Sequence, residues 1–106
     1  MNTEPSIRVV LADDHQVVRH GIKLFLSAAG IDVVAEAEDG EQALRLIEQH
    51  LPDVAVLDIQ MPGYSGIEVA RRVRAGKLPV GLLILTAFDD DPFIVAALEA
   101  GVSGFV

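Results

Sequence analysis

The sequence predicts an α/β fold, in which a parallel five-stranded sheet carries helices on both faces, in one domain spanning residues 1–106. Short apolar runs alternate strictly with helical patterns along the chain. Such alternation is typical of parallel strands joined by right-handed crossovers. The run 54–57 is apolar at every position, as in strands that are buried under helices on both sides. Hydrophobic residues make up 51% of the sequence, so we expect a substantial core.

The elements follow from the periodicity of the apolar residues. In the first helix Val18, Ile22, Phe25 and Ala29 recur with helical spacing, which predicts that they form its inward face. Gly30 fits the C-terminal end of that helix. The predicted strands lie near 7–12, 32–37, 54–58, 80–86 and 103–106, and the predicted helices lie near 15–29, 40–50, 66–75 and 91–100.

The third and fourth helices have similar local signals. Ile67, Ala70 and Val73 are predicted to face the core, because they recur on one side of the third helix. Pro92 fits the first turn of the fourth helix, and Gly101 fits its end.

Composition and charge exclude several classes of function. The chain has no cysteine, so neither disulfides nor a thiolate metal site can form. Sixteen acidic residues against eight basic ones give a net charge of −8, which opposes direct binding to nucleic acid or to an anionic membrane. Neither a signal peptide nor a transmembrane run is present in the sequence. These features predict a cytoplasmic location.

Polar side chains follow three of the predicted strands. Asp13 and Asp14 follow the first strand, Asp58 ends the third, and Thr86 ends the fourth. Parallel strands bring these positions to the carboxyl edge of the sheet, where α/β folds bind ligands. Two unit charges about 4 Å apart repel by roughly 4 kcal/mol near a protein surface. The crowded carboxylates therefore predict either a raised pKa or a hard cation between them.

This arrangement predicts phosphoryl chemistry at Asp58. A carboxylate exposed at the end of a strand can attack phosphorus and form an acyl phosphate, and such a reaction needs a divalent metal. Asp14, Asp58 and a backbone carbonyl just past Asp58 would hold Mg²⁺ or Mn²⁺, with Asp13 on a metal-bound water. The hydroxyl of Thr86 can donate to a phosphoryl oxygen.

The order and spacing of these residues resemble the receiver domain of two-component response regulators. The resemblance covers essentially the whole chain, and the stretch 11–21 is similar to the NarL/FixJ (LuxR-type) branch. It implies that Asp58 is the phosphoacceptor, that Asp13 and Asp14 form the acidic metal pocket, and that the Gln60 carbonyl is the backbone ligand. The motifs that carry it are Asp13-Asp14, Asp58-x-x-Met61-Pro62-Gly63-x-x-Gly66, Thr86-Ala87 and Ala100-Gly101-x-x-Gly104-Phe105.

The resemblance also implies a fold, a switch and partners. The fold would be doubly wound and flavodoxin-like, with strand order 2-1-3-4-5. Thr86 would be the switch hydroxyl and Phe105 the switch aromatic. A sensor histidine kinase would supply phosphate, and a DNA-binding effector domain in the parent chain would act on transcription. The module would not be an enzyme beyond promoting its own phosphorylation and dephosphorylation.

One departure from the family pattern concerns the C-terminal end. The family's lysine, three residues after the switch aromatic, and its last helix would both fall beyond Val106. The resemblance therefore implies a receiver without its last helix, with one sheet face uncovered. A homodimer is expected through that face or through the fourth helix and fifth strand, because residues 93–98 form an apolar run that encircles the helix.

Alternative interpretations remain open at this point. A degenerate receiver would act as an interaction module without phosphorylation. A haloacid-dehalogenase-type phosphatase needs a second acid where Gln60 stands, and a flavin carrier needs a phosphate-binding loop where Asp13 and Asp14 stand. Taken singly, an aspartate here can cap a helix, Thr86 can be an ordinary strand residue and Phe105 a core residue. His15 is interpreted as local to the site and not as a ligand.

Overall fold

The computed structural model describes residues 6–85 and the backbone of residues 104–105. Five parallel strands, numbered along the chain, form one sheet in the order 2-1-3-4-5, which confirms the predicted fold class. The predicted fourth helix, with its apolar run 93–98, lies outside the described residues. The elements are β1 (Arg8–Ala12), α1 (Gln16–Ala28), β2 (Asp32–Ala37), α2 (Gly40–His50), β3 (Val54–Asp58), α3 (Gly66–Ala75), β4 (Gly81–Leu85) and β5 (Gly104–Phe105).

The register of the sheet places the C-terminal ends of β1, β3 and β4 side by side. Ala12 of β1 is paired with Leu57 of β3, and Asp58 is paired with Leu85 of β4. The residues that follow β1 therefore emerge beside the end of β3. This register sets up the crowding of acidic residues at the carboxyl edge.

The helix ends follow their local sequence. Gly30 has a φ of +82°, and the N–H groups of Gly30 and Ile31 donate to the carbonyls of Ser27 and Leu26. This is the glycine-terminated helix end that was predicted. At the N-terminus of α3, the Ser65 hydroxyl caps the helix by accepting a hydrogen bond from the N–H of Glu68 at 3.1 Å.

One face of the sheet packs against α2 and α3. Strand residues that include Val10, Leu57, Leu82 and Ile84 are buried there against helix residues such as Ile47. The predicted inward face of α3 is confirmed, because all three of its residues are buried (Ile67, Ala70 and Val73).

The opposite face packs against α1, where the predicted inward position of Ile22 is confirmed and those of Val18, Phe25 and Ala29 are wrong. Val18 is 50% exposed and Phe25 is 74% exposed, whereas Ile22 and Leu26 pack on the sheet. Val18 and Phe25 each precede an inward position by one residue, so they are turned away by about 100°. The inward face of α1 is formed by Arg19, which is only 8% exposed, together with Ile22 and Leu26.

No helix within the described part of the chain is long and apolar enough to cross a membrane.

Candidate functional site

Four side chains converge where β1 and β3 end. Ligand atoms of Asp13, Asp14, His15 and Asp58 all lie within 4.8 Å of one another. The first three residues form the loop between β1 and α1, and Asp58 is the last residue of β3. The structure thus brings together the three carboxylates that the sequence pointed to, and it adds an imidazole.

Asp13 is the most constrained member of the group. It is 3% exposed, and its backbone N–H donates to the Ala37 carbonyl at 3.1 Å. Its own carbonyl accepts from Arg19 Nη1 at 2.7 Å, and its Oδ1 accepts from the His15 N–H at 2.8 Å. Because its backbone and one side-chain oxygen are both held, Asp13 can position a neighbouring group with little reorganisation.

Arg19 of α1 holds the acidic loop between β1 and α1. Besides the Asp13 carbonyl, it binds Glu36 through Nε at 3.3 Å and approaches Glu38 through Nη2 at 3.5 Å. Lys23 adds a second pair to Glu36 at 3.1 Å. Sequence reasoning missed Arg19, although a cation three residues before the inward-facing Ile22 was a usable signal for a buried anchor.

Asp58 is half-buried and electrostatically unfavourable as an anion. Burial raises its pKa above the ordinary value of 3.8, and the charges of Asp13 and Asp14 raise it further. The Gln60 N–H, which donates to Asp58 Oδ1 at 3.4 Å, and His15 act in the opposite direction. A bound cation would relieve this repulsion, and a set of carboxylate oxygens suits a hard divalent ion such as Mg²⁺.

The loop between β3 and α3 closes tightly over Asp58. The Gly66 N–H donates to the Ile59 carbonyl at 3.0 Å, and Gly63 adopts a φ of +75°. A Cβ on Gly66 would clash with the Asp58 carbonyl oxygen, so only glycine fits there without backbone movement. Gly66 therefore allows the start of α3 to pass close to the backbone of Asp58.

An open cleft of about 420 Å³ lies next to the acidic group. Asp14 forms one wall, and the β3–α3 loop supplies mostly apolar side chains for the rest. The lining residues are Asp14, Ile59, Gln60, Met61, Pro62, Ser65 and Ile67. This cleft gives a solvent-accessible approach to the site.

The family model of the response regulator receiver domain matches residues 9–106. The chain belongs to this family.

Named relatives of this receiver are regulators of transcription. The chain is 46% identical over 107 residues to the "Probable transcriptional regulatory protein NarL" of Mycobacterium tuberculosis, covering 99% of this chain and 50% of that protein. It is 38% identical to the "Transcriptional regulatory protein DegU" of Brevibacillus brevis, covering 97% of this chain and 44% of that protein. The receiver thus spans about half the length of the curated relatives it matches.

Solved structures show the same domain. The signal receiver domain of the response regulator NarL from Mycobacterium tuberculosis superposes with a TM-score of 0.94 at 45% identity, covering 96% of this chain and 83% of that one.

The structure does not describe the side chains of the two residues that were predicted to form the receiver switch. Thr86 lies outside the described residues. Phe105 is described only by its backbone, which is paired with Ile84 in the sheet. Their switch roles stay predictions.

Proposed function

We propose that this chain is the phosphoacceptor module of a longer response regulator, and that Asp58 accepts the phosphoryl group. The observation that carries the proposal is the convergence of Asp13, Asp14 and Asp58 at the carboxyl edge, with ligand atoms within 4.8 Å of one another. Burial and the neighbouring carboxylates make anionic Asp58 unfavourable. Repulsion among these carboxylates favours the binding of a cation, and the Asp58 oxygen is placed to react with phosphorus.

The chemistry follows from the position of each side chain. One Asp58 oxygen forms a bond to phosphorus while the bond from phosphorus to the donor's histidine nitrogen breaks, and that nitrogen takes up a proton. Asp14, Asp58 and the Gln60 carbonyl would hold Mg²⁺ or Mn²⁺, with Asp13 acting through water. When bound, the metal would neutralise charge on the phosphoryl oxygens.

The same proposal extends to the rest of the switch. Thr86 would donate to the phosphoryl oxygen, and Phe105 would report the change to the surface of the fourth helix and fifth strand. A sensor histidine kinase in the cytoplasm would be the donor. Residues 1–106 would form the receiver, and a separate effector domain of the parent protein would bind DNA. This division is supported by the net charge of −8, which disfavours DNA binding by the receiver itself.

The test is phosphorylation by a small phosphodonor in the presence of Mg²⁺, read as mass gain and located by peptide mapping. Asp58→Asn should abolish the modification. Asp53→Asn is the matched control, because Asp53 lies just before the other end of β3, where it accepts from the Arg8 N–H at 2.8 Å. It should be modified like the wild type.

Modification that persists in Asp58→Asn would overturn the assignment of the acceptor. A wild-type protein that stays unmodified with both a small donor and its kinase would favour the alternative of an interaction module that works without phosphorylation.

A further inference from the structure

The segment that joins β2 to α2, residues 36–40, contacts both loops of the acidic site, although it contributes no side chain to the group of four. We call it the β2–α2 segment. The Ala37 carbonyl accepts from the Asp13 N–H at 3.1 Å. Two glutamates of the segment pair with Arg19, whose guanidinium also donates to the Asp13 carbonyl. The β2–α2 segment therefore holds the acidic loop through both its backbone and its side chains.

The other end of the β2–α2 segment contacts the loop between β3 and α3. The Gly40 N–H donates to the Pro62 carbonyl at 3.0 Å. Gly63 packs on the first turn of α2, where a Cβ on Gly63 would lie 3.6 Å from Glu41 Cγ. Pro62 comes two residues after Gln60, whose carbonyl is the proposed backbone ligand of the metal. The β2–α2 segment thus connects the loop that carries this carbonyl to the loop that carries the acidic pair.

Gly40 makes a close approach that only glycine allows. It is buried, and it is not one of the glycines with a positive φ, so its backbone conformation is open to other residues. A Cβ at this position, however, would clash with the carbonyl oxygen of Tyr64. The missing side chain therefore lets the backbone of α2 lie directly against the backbone of the β3–α3 loop.

The first turn of α2 is held by reciprocal hydrogen bonds. The Asp39 carboxylate accepts from the Gln42 N–H at 2.8 Å, and the Gln42 side chain accepts from the Glu38 N–H at 3.0 Å. Bonds of this capping-box type satisfy the N–H groups at the end of a helix and fix its first turn. A segment held in this way can transmit the position of one loop to the other.

We propose that Gly40 and Asp39 are positioning residues, which set the distance between the Gln60 carbonyl and the acidic loop and thereby the affinity for Mg²⁺. Mg²⁺ demands near-ideal octahedral geometry with bonds of about 2.0–2.1 Å, so a small displacement of one ligand weakens its binding. The inference rests on the proposed function, because it uses the metal ligands assigned there. It adds that part of the metal affinity is determined by residues that do not touch the metal.

The experiment is titration of the full-length protein with Mg²⁺ alone, followed through backbone amide chemical shifts at a temperature where every variant is folded. Gly40→Ala should push the β3–α3 loop away from α2. Loss of a residue that orients metal ligands typically costs 10–100-fold in affinity, so we expect Mg²⁺ binding about tenfold weaker. The Gln60 amide should also shift before any metal is added. Gly21→Ala is the matched control, because a Cβ there meets nothing within 4 Å, and it should bind Mg²⁺ normally.

A second pair of variants tests the cap without adding bulk. Asp39→Asn removes the charge but keeps a side chain that caps helices about as well, whereas Asp39→Ala removes both charge and cap. Asp39→Ala should therefore bind Mg²⁺ about two- to fivefold more weakly than Asp39→Asn, which is the equilibrium factor that a helix cap typically contributes. Ile47→Val, seven residues further along α2 than Gly40, alters a fully buried side chain. It should lower the melting temperature and leave Mg²⁺ affinity unchanged.

Equal Mg²⁺ affinity in the wild type and Gly40→Ala would overturn the proposal. If Gly40→Ala does not fold, equal affinities in Asp39→Ala and Asp39→Asn would overturn it instead. A loss in Ile47→Val as large as in Gly40→Ala would show that reduced stability alone weakens binding, which also contradicts the proposal. The proposed function fails by a different result, the modification of Asp58→Asn by a phosphodonor with Mg²⁺, so the two failures are distinguishable.

Discussion

The two faces of the sheet are held by different kinds of interaction. On the face under α2 and α3, sixteen of the described residues form one buried apolar cluster. On the face under α1, the buried cluster among the described residues contains Val9, Leu11 and Val56, with half-buried neighbours such as Leu83 packed against it. Successive residues of a strand point to opposite faces, so each central strand contributes side chains to both faces of the sheet.

The face under α1 compensates with polar anchors that also serve the site. Arg19 joins α1 to the Asp13 carbonyl and to Glu36 of β2, and Lys23 contacts the same glutamate. The face under α2 and α3 therefore contributes most of the apolar burial among the described residues, whereas the polar contacts under α1 hold the acidic loop in place. This difference suggests that stability and site geometry can be changed separately by mutation.

The largest expected effect comes from neighbouring residues of β4. Leu82 is fully buried under α2 and α3, and Leu82→Ala should lower the free energy of unfolding by about 2–5 kcal/mol. Leu83→Ala, on the other face, should cost less than about 1.5 kcal/mol, because Leu83 is only partly buried. Urea denaturation of both variants measures the difference. Equal losses would show that the face under α1 is covered as thoroughly as the other.

The next effect concerns the polar anchor. Arg19→Met keeps the aliphatic stem but removes the bonds to Asp13 and Glu36, so it should cost about 1.5–3 kcal/mol of stability and weaken Mg²⁺ binding. Lys23→Met is the control, because a solvent-exposed ion pair contributes only about 0–1 kcal/mol. Denaturation combined with Mg²⁺ titration checks both. If Arg19→Met unfolds more easily but binds Mg²⁺ normally, Arg19 does not position the site.

A smaller effect of opposite sign is expected at Asp58. Its pKa is raised in the folded protein, so ionised Asp58 destabilises the fold. This penalty is absent below the unfolded pKa near 3.8, grows as the pH rises through the higher folded pKa, and is complete above it. Asp58→Asn should therefore stabilise the metal-free protein at neutral pH and have little effect in acid. Thermal melts across this range measure it, and a gain independent of pH would contradict the electrostatic origin.

The smallest effect is expected on the outer side of α1. Phe25 is largely exposed, so Phe25→Gln should change the free energy of unfolding by less than about 0.5 kcal/mol. Denaturation of the full-length protein at two protein concentrations provides the measurement. A larger loss would mean that Phe25 is covered, by residues outside the described part of the chain if the loss is independent of concentration, or by a second copy if it is not.

Sequence patterns were sufficient to predict the secondary structure on both faces of the sheet. Apolar runs and glycine signals predicted the described strands and helices to within one or two residues, because period and helix ends are encoded locally. The pattern failed at Val18 and Phe25. Apolar periodicity takes no account of a buried cation, and Arg19 occupies the inward position that those residues were expected to share.

By itself, the sequence determined the order of the elements and the gathering of Asp13, Asp14 and Asp58 at one edge. Alternating periodicities specify parallel strands, and residues at the ends of parallel strands meet at the same edge. Only the tertiary structure decided which side of α1 is buried, that Arg19 holds the Asp13 carbonyl, and that the His15 ring lies between two carboxylates. These features depend on contacts with Glu36 and Ala37 of β2 and on the exact orientation of a short loop, and no local pattern contains distances between residues so far apart in sequence.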